Sequence, residues 1–140
     1  MTMENVEMFL KLHPLLKGME SGLIKKITPY AVAVSFPAGK FIIKEGKKAK
    51  EFYLLTRGSV TLEACAPAHI AATIAKLTET GCDIHPGANE VTISGPVRPA
   101  ALSVTTEPYP GFPTDMQAQM MALCSVADGT SVVTDTIYLD

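Results

Sequence analysis

The stretch Phe112-Pro113-Thr114-Asp115-Met116-Gln117-Ala118-Gln119 sets a proline-bounded loop directly before an amphipathic segment. Met116, Met120, Leu123 and Ala127 recur at three- and four-residue intervals, which predicts a helix over 114–127 with one apolar stripe. Asp128-Gly129 supplies the stop, and 130–139, rich in Val and Thr, predicts a closing strand. Working back from this helix, Pro67 suits a first helical turn, Ile70, Ile74 and Leu77 share a face, and Gly81 ends it. Between the two helices, 82–85, 90–94 and 101–106 read as strands joined by Pro86-Gly87 and Gly95-Pro96 turns.

Further back the pattern changes. A helix is predicted over 4–13 with Val6, Phe9 and Leu10 on one face and Pro14 as its stop, followed by a short helix carrying Leu23, Ile24 and Ile27 and closed by Pro29. Alternation then predicts strands over 30–36, 40–44, 51–56 and 59–64, separated by the Pro37-Ala38-Gly39 and Gly46 turns and by Arg57-Gly58. Composition marks the same division. Residues 1–58 hold ten Lys or Arg against five Asp or Glu, a net +5, whereas 59–140 hold two against nine, a net −7. Seven of the ten prolines follow residue 66, and Lys76 is the only lysine there.

With 47% hydrophobic and 19% charged residues the chain is too apolar for disorder and too evenly broken for a membrane span. Glu4 and Glu7 interrupt the first apolar positions, so no leader is read there and a cytoplasmic location is expected. Cys65, Cys82 and Cys124 are odd in number and lack CxxC spacing, which predicts buried reduced thiols and no metal site. His69 and His85 stand without a ligand-spaced carboxylate set. Lys44, Lys47, Lys48 and Lys50 beside a glycine turn read as a solvated loop, with no interleaved aromatic for nucleic-acid stacking. Lys25-Lys26 reads as a solvated helix face, and Met116, Met120 and Met121 as core packing.

Two family resemblances follow from particular residues. His13-Pro14-Leu15-Leu16-Lys17-Gly18, Phe36-Pro37-Ala38-Gly39-Lys40, Glu45-Gly46, Phe52-Tyr53-Leu54-Leu55 and Gly58-Ser59-Val60 make residues 1–63 resemble the opening of a cyclic-nucleotide-binding domain. That family holds its ligand with a later Gly-Glu and arginine cassette, which the chain lacks, so the resemblance implies no cyclic-nucleotide site. Residues 58–140 resemble the UDP-N-acetylglucosamine enolpyruvyl transferases (1-carboxyvinyltransferases) of peptidoglycan precursor synthesis. The residues carrying this are Pro67-Ala68-His69-Ile70, Ala75-Lys76-Leu77, the eight-residue stretch from Phe112, Ala127-Asp128-Gly129-Thr130 and Thr134-Asp135-Thr136-Ile137-Tyr138. The family builds its domains from βαβαββ units, of which the chain would hold about one.

The second resemblance implies a catalytic role for Asp115, whose counterpart contacts the attacking sugar hydroxyl, and a substrate-binding role for Asp115 and for the backbone at Ile137. Asp115 also has a plain structural reading as a helix cap. The family's cysteine loop and most of its lysines and arginines have no counterpart here, so a vestigial Asp115 and a chain without turnover are expected. Both patterns fit Gly58-Ser59-Val60-Thr61-Leu62, which places a join inside a strand and implies segment recombination, artificial rather than a fusion of whole domains.

The expected fold is α+β: N-terminal helices with antiparallel strands joined to a βαβαββ-like repeat, with 1–58 and 59–140 sharing one core. No cofactor, metal, nucleic-acid or membrane partner is expected. UDP-N-acetylglucosamine would bind weakly if at all, and the alternatives are a residual binding module for UDP-sugar or cyclic nucleotide, or a self-associating structural domain. Homo-oligomers are expected, since sheet edges from larger folds are left uncovered and the halves carry opposite charge.

Overall fold

The computed structural model describes residues 3–13, 16–48, 50, 51, 53, 55 and 58–138. The chain separates into two compact units, Met1–Arg57 and Gly58–Asp140.

In the first unit, α1 spans Met3–Leu12 and α2 spans Ser21–Ile27. An ion pair one turn apart, Glu7 to Lys11 at 2.6 Å, supports α1, with the acid on the N-terminal side as the helix dipole favours. Pro14, expected as the stop of α1, lies outside the described residues. Pro29 does not end the second helical segment abruptly. It sits at the start of a 3₁₀ turn, Thr28–Tyr30, a position where its missing N–H costs nothing. Ile24 and Thr28 are the buried residues here, and the Thr28 hydroxyl donates to the Ile24 carbonyl at 2.8 Å. Leu23 and Ile27 remain largely exposed.

The expected strands at 30–36 and 40–44 are not formed. Tyr30 is 89% exposed and Val32 78%, so the alternation has no apolar surface to cover and no ladder partner to satisfy its backbone. The expected strand at 51–56 and the Arg57-Gly58 turn fall partly outside the described residues, and Glu51, Tyr53 and Leu55 are not in a strand. The first unit therefore has no strand among its described residues, a correction to the antiparallel arrangement anticipated for it.

The second unit mixes helix and sheet. Its strands are β1 (Val60–Glu63), β2 (Asp83–Pro86), β3 (Glu90–Ser94), β4 (Ser103–Thr105) and β5 (Val132–Thr134), with helices α3 (Ala71–Glu79) and α4 (Gln117–Cys124). Central β3 pairs antiparallel with β1, Leu62 opposite Val91, and with β2, Ile84 opposite Ile93. A cross-strand hydroxyl pair, Thr61 and Thr92 at 2.8 Å, ties β1 to β3. Gly87, whose N–H bonds the Glu90 carbonyl at 2.8 Å, turns β2 into β3 too tightly for an intervening helix. The order of elements is thus β1-α3-β2-β3-β4-α4-β5 in place of the anticipated βαβαββ. β4 and β5 form a separate parallel pair, Val104 opposite Val133, with α4 in the crossover that parallel strands require.

Helix α3 begins where Pro67 starts a 3₁₀ turn, Pro67–Ile70. It ends on the glycine that the sequence marks. Gly81 has φ +89°, its N–H bonds the Thr78 carbonyl at 2.9 Å and the Cys82 N–H bonds the Leu77 carbonyl at 3.3 Å, a paired C-terminal closure that a left-handed glycine permits. Lys76 then fastens α3 to β4 by donating to the Ser103 carbonyl at 2.9 Å.

Leu102, Val104, Phe112 and Met120 form the buried core, with Ala72, Leu77, Met116, Leu123, Cys124 and Val133 packed on it. Met116 and Met120 follow the expected stripe, but Met121 is 51% exposed, because one residue further along a helix is a turn of about 100° away from the core. The three thiols are unbridged and half-buried rather than buried: Cys65 and Cys82 lie at strand ends, and Cys124 borders the core. Met120→Ala should lower the stability of the second unit by about 2–4 kcal/mol, whereas Met121→Ala should change it by less than about 0.5 kcal/mol. Urea unfolding followed by circular dichroism measures the difference, and equal effects would show that α4 packs through another face.

Candidate functional site

Three segments meet at the end of β4: Thr106, the Pro113-Thr114-Asp115 turn that opens α4, and Asp135-Thr136-Ile137-Tyr138 after β5. Thr106 is fully buried, and all of its polar groups are used. Its N–H bonds the Thr134 carbonyl at 2.9 Å, its hydroxyl accepts from the Thr136 N–H at 3.0 Å, and its carbonyl accepts from the Thr136 hydroxyl. The same Thr106 hydroxyl donates to Asp135 Oδ1 at 2.6 Å.

Asp135 is the hub of the cluster. Oδ1 also accepts from the Ile137 N–H at 2.9 Å and the Tyr138 N–H at 3.5 Å, and Oδ2 accepts from the Thr114 hydroxyl at 3.4 Å. Donation by the Thr106 hydroxyl, then by the Ile137 amide, holds the Asp135 carboxyl below the usual aspartate range against the opposing effect of partial burial. The sequence reading did not single out Asp135. Its available signal was local: an aspartate two residues before an amide it can accept from is the pattern of an Asx turn.

Asp115 lies in the 3₁₀ turn Thr114–Met116 and is exposed. The cap reading does not hold, because Pro113 occupies the position before the turn and no side-chain hydrogen bond caps either this turn or α4. Among the described residues the Asp115 carboxylate makes no hydrogen bond or ion pair, so both of its oxygens face solvent or a ligand. Ile137 is joined to the same cluster through its N–H. Thr114 and Ile137 therefore share one anchor, which brings the neighbourhood of Asp115 and the Ile137 backbone together.

The second unit carries only two cationic side chains besides its histidines, and both are paired. Lys76 contacts Glu79 at 3.0 Å, and Arg98 contacts Asp128 at 2.5 Å. His85 lies 3.1 Å from Asp83 on the surface, and His69 is exposed. No group of three or more metal-ligating side chains occurs among the described residues. In the first unit the lysine loop is exposed, with the Lys44 ammonium 4.8 Å from the centre of the Phe41 ring. No helix among the described residues is long and apolar enough to cross a membrane.

Residues 23–138 match the family model of EPSP synthase (3-phosphoshikimate 1-carboxyvinyltransferase). UDP-N-acetylglucosamine 1-carboxyvinyltransferase 3 of Symbiobacterium thermophilum is 50% identical over 86 residues, which is 61% of this chain and 20% of that protein. A second such protein of the same organism, UDP-N-acetylglucosamine 1-carboxyvinyltransferase 1, is 52% identical over 84 residues, 60% of this chain and 19% of its own length. The enzyme of that name from Geobacter metallireducens is 45% identical over 84 residues, again 60% of this chain and 20% of its own length. The chain spans about a fifth of the length of these relatives. With 116 of its 140 residues inside the match, the chain belongs to the EPSP synthase family.

Proposed function

We propose that the second unit is the sugar-nucleotide-facing piece of a UDP-N-acetylglucosamine enolpyruvyl transferase and that it does not turn over by itself. The observation that carries this is the pairing of an unpartnered Asp115 carboxylate with a complete absence of unpaired Lys or Arg among the described residues of that unit. A free carboxylate can accept a proton from a sugar hydroxyl. Enolpyruvyl transfer from phosphoenolpyruvate also requires cations for a phosphate and a carboxylate, and positioning of both substrates supplies much of a bisubstrate rate. Lys76 and Arg98 are committed elsewhere. Because the Ile137 N–H is taken by Asp135, the backbone group that Ile137 can offer a ligand is its carbonyl.

Mixing the protein with phosphoenolpyruvate and UDP-N-acetylglucosamine should release no inorganic phosphate. Titration calorimetry should detect UDP-N-acetylglucosamine only weakly, at millimolar dissociation constants or above, and cyclic AMP not at all. Phosphate release that disappears in Asp115→Asn would overturn the proposal, and micromolar binding of cyclic AMP would restore a nucleotide site to the first unit.

We also propose that the two units have separate sources, with the first derived from a cyclic-nucleotide-binding-like segment. The step in charge from +5 to −7 and the division into units at Arg57 support this, whereas the family match beginning at residue 23 opposes it. Two compact units predict two calorimetric unfolding transitions, and a single cooperative one would show that they share one core.

Self-association is favoured by the sheets. β1 and β2 are outer strands of a three-stranded sheet, and β4 pairs with β5 alone, so unpaired edges remain among the described residues. Light scattering coupled to size exclusion should give a mass above 14.9 kDa that rises over a tenfold concentration range. A constant monomer mass would remove this reading.

A further inference from the structure

We propose that Asp135 is the positioning residue of this site: its carboxylate couples the Thr114-Asp115 turn to the Ile137-Tyr138 backbone, so that the two groups facing a sugar nucleotide are preset as one pair. The ligand in this statement rests on the functional reading above, whereas the coupling is a property of the free protein.

The four donors to Asp135 come from three different places in the chain. Two are the amides of Ile137 and Tyr138, which an ordinary Asx turn would satisfy without help. The other two are hydroxyls from 29 residues away, at Thr106, and from 21 residues away, at Thr114. An ionised carboxylate offers about four acceptor sites, so one side chain can serve all four donors. Bonds to an ionised acceptor are roughly twice as strong as neutral ones, which makes Asp135 rather than a threonine the centre of the arrangement. Thr106 gives the cluster a fixed base, because it is fully buried and bonded three times to the Thr134-Thr136 backbone and side chain. The bond from Thr114, at 3.4 Å, is the longest link to a hydroxyl and the one that reaches the turn bearing Asp115. Asparagine at 135 would keep the size of the side chain but replace one acceptor oxygen by a donor, and so could not serve both arms.

Amide proton and nitrogen resonances of the full chain test the coupling directly. Asp135→Asn should move the amides of Thr114 and Asp115 together with those of Ile137 and Tyr138, while Val91 and Ile93 in β3 keep their positions and show the fold intact. Thr114→Val, which removes only the hydroxyl, should move the Ile137 amide from across the site. In an Asp115→Asn background, which leaves no second carboxylate beside these amides, all four should on acidification follow one curve with a midpoint below the free aspartate value of about 3.9, since a depressed carboxyl keeps the clamp closed above its own titration and releases it below. Asp135→Asn should abolish that curve. With UDP-N-acetylglucosamine as the probe, wild-type shifts at Asp115 and Ile137 should need about tenfold more ligand in Asp135→Asn.

If Asp135→Asn moves Ile137 and Tyr138 but leaves Thr114 and Asp115 in place, Asp135 is a local turn residue and the proposal falls. Should that variant fail to fold, Thr114→Val and the acid titration in the Asp115→Asn background decide: independent titration of the two pairs overturns the coupling, and a shared curve upholds it. A shared curve in a protein whose resonances ignore UDP-N-acetylglucosamine upholds the coupling and removes the functional reading instead.

Discussion

The second unit depends on the hydrogen bond between a buried threonine and a half-buried carboxylate, Thr106 to Asp135. β4 and β5 are each three residues long and, among the described residues, pair only with one another, too short a ladder to fix the segments that leave them. The Thr106 bonds extend that pairing beyond the last ladder residue, through Thr134 and Thr136, and Asp135 carries it sideways to the turn that opens α4. A buried hydroxyl left unsatisfied would cost about 1–3 kcal/mol, so the polar network and the apolar core beneath it reinforce one another. Met120 and Phe112 hold α4 and its leading loop down, and Asp135 sets where the loop ends.

The helices of the second unit were legible because their apolar residues repeat at helical spacing and meet a surface: Leu77 on α3 and Met116, Met120 and Leu123 on α4 all reach the core. Strands 90–94 and 60–63 were legible for the matching reason, since β3 has a neighbour on each side and β1 pairs along one of them. The alternation at 30–36 looks equally regular in sequence yet forms no strand, because a period of two specifies a strand only where one face has something to cover. The turn at Gly87 carried a similar lesson. Its chemistry was visible as a break, but the hairpin it makes, and hence the element order, depends on pairing that the linear pattern does not contain.

At the site, Asp115 and Ile137 could be named from the signature around them, whereas Asp135 could not be ranked above other acidic residues. Its importance comes from hydroxyls 21 and 29 residues away, and separations of that kind are set by the fold and not by spacing along the chain. The cap reading of Asp115 failed for a related reason. Pro113 takes the preceding position and Thr114 turns its hydroxyl toward Asp135, so the local preference of an aspartate near a helix start is overridden by a distant partner.

The pairing of Lys76 with Glu79 and of Arg98 with Asp128 has an electrostatic consequence of its own. With both cations neutralised at close range, the field of the second unit is that of its surplus acidic groups, a net −7 over residues 59–140. A diphosphate-bearing molecule approaching such a surface is repelled until it is within the short range of directed hydrogen bonds. Added salt then aids encounter by shrinking the Debye length, to about 8 Å at physiological ionic strength. For the second unit taken by itself, the ionic-strength dependence of association with an anion therefore has the opposite sign to that of an ordinary phosphate-binding protein.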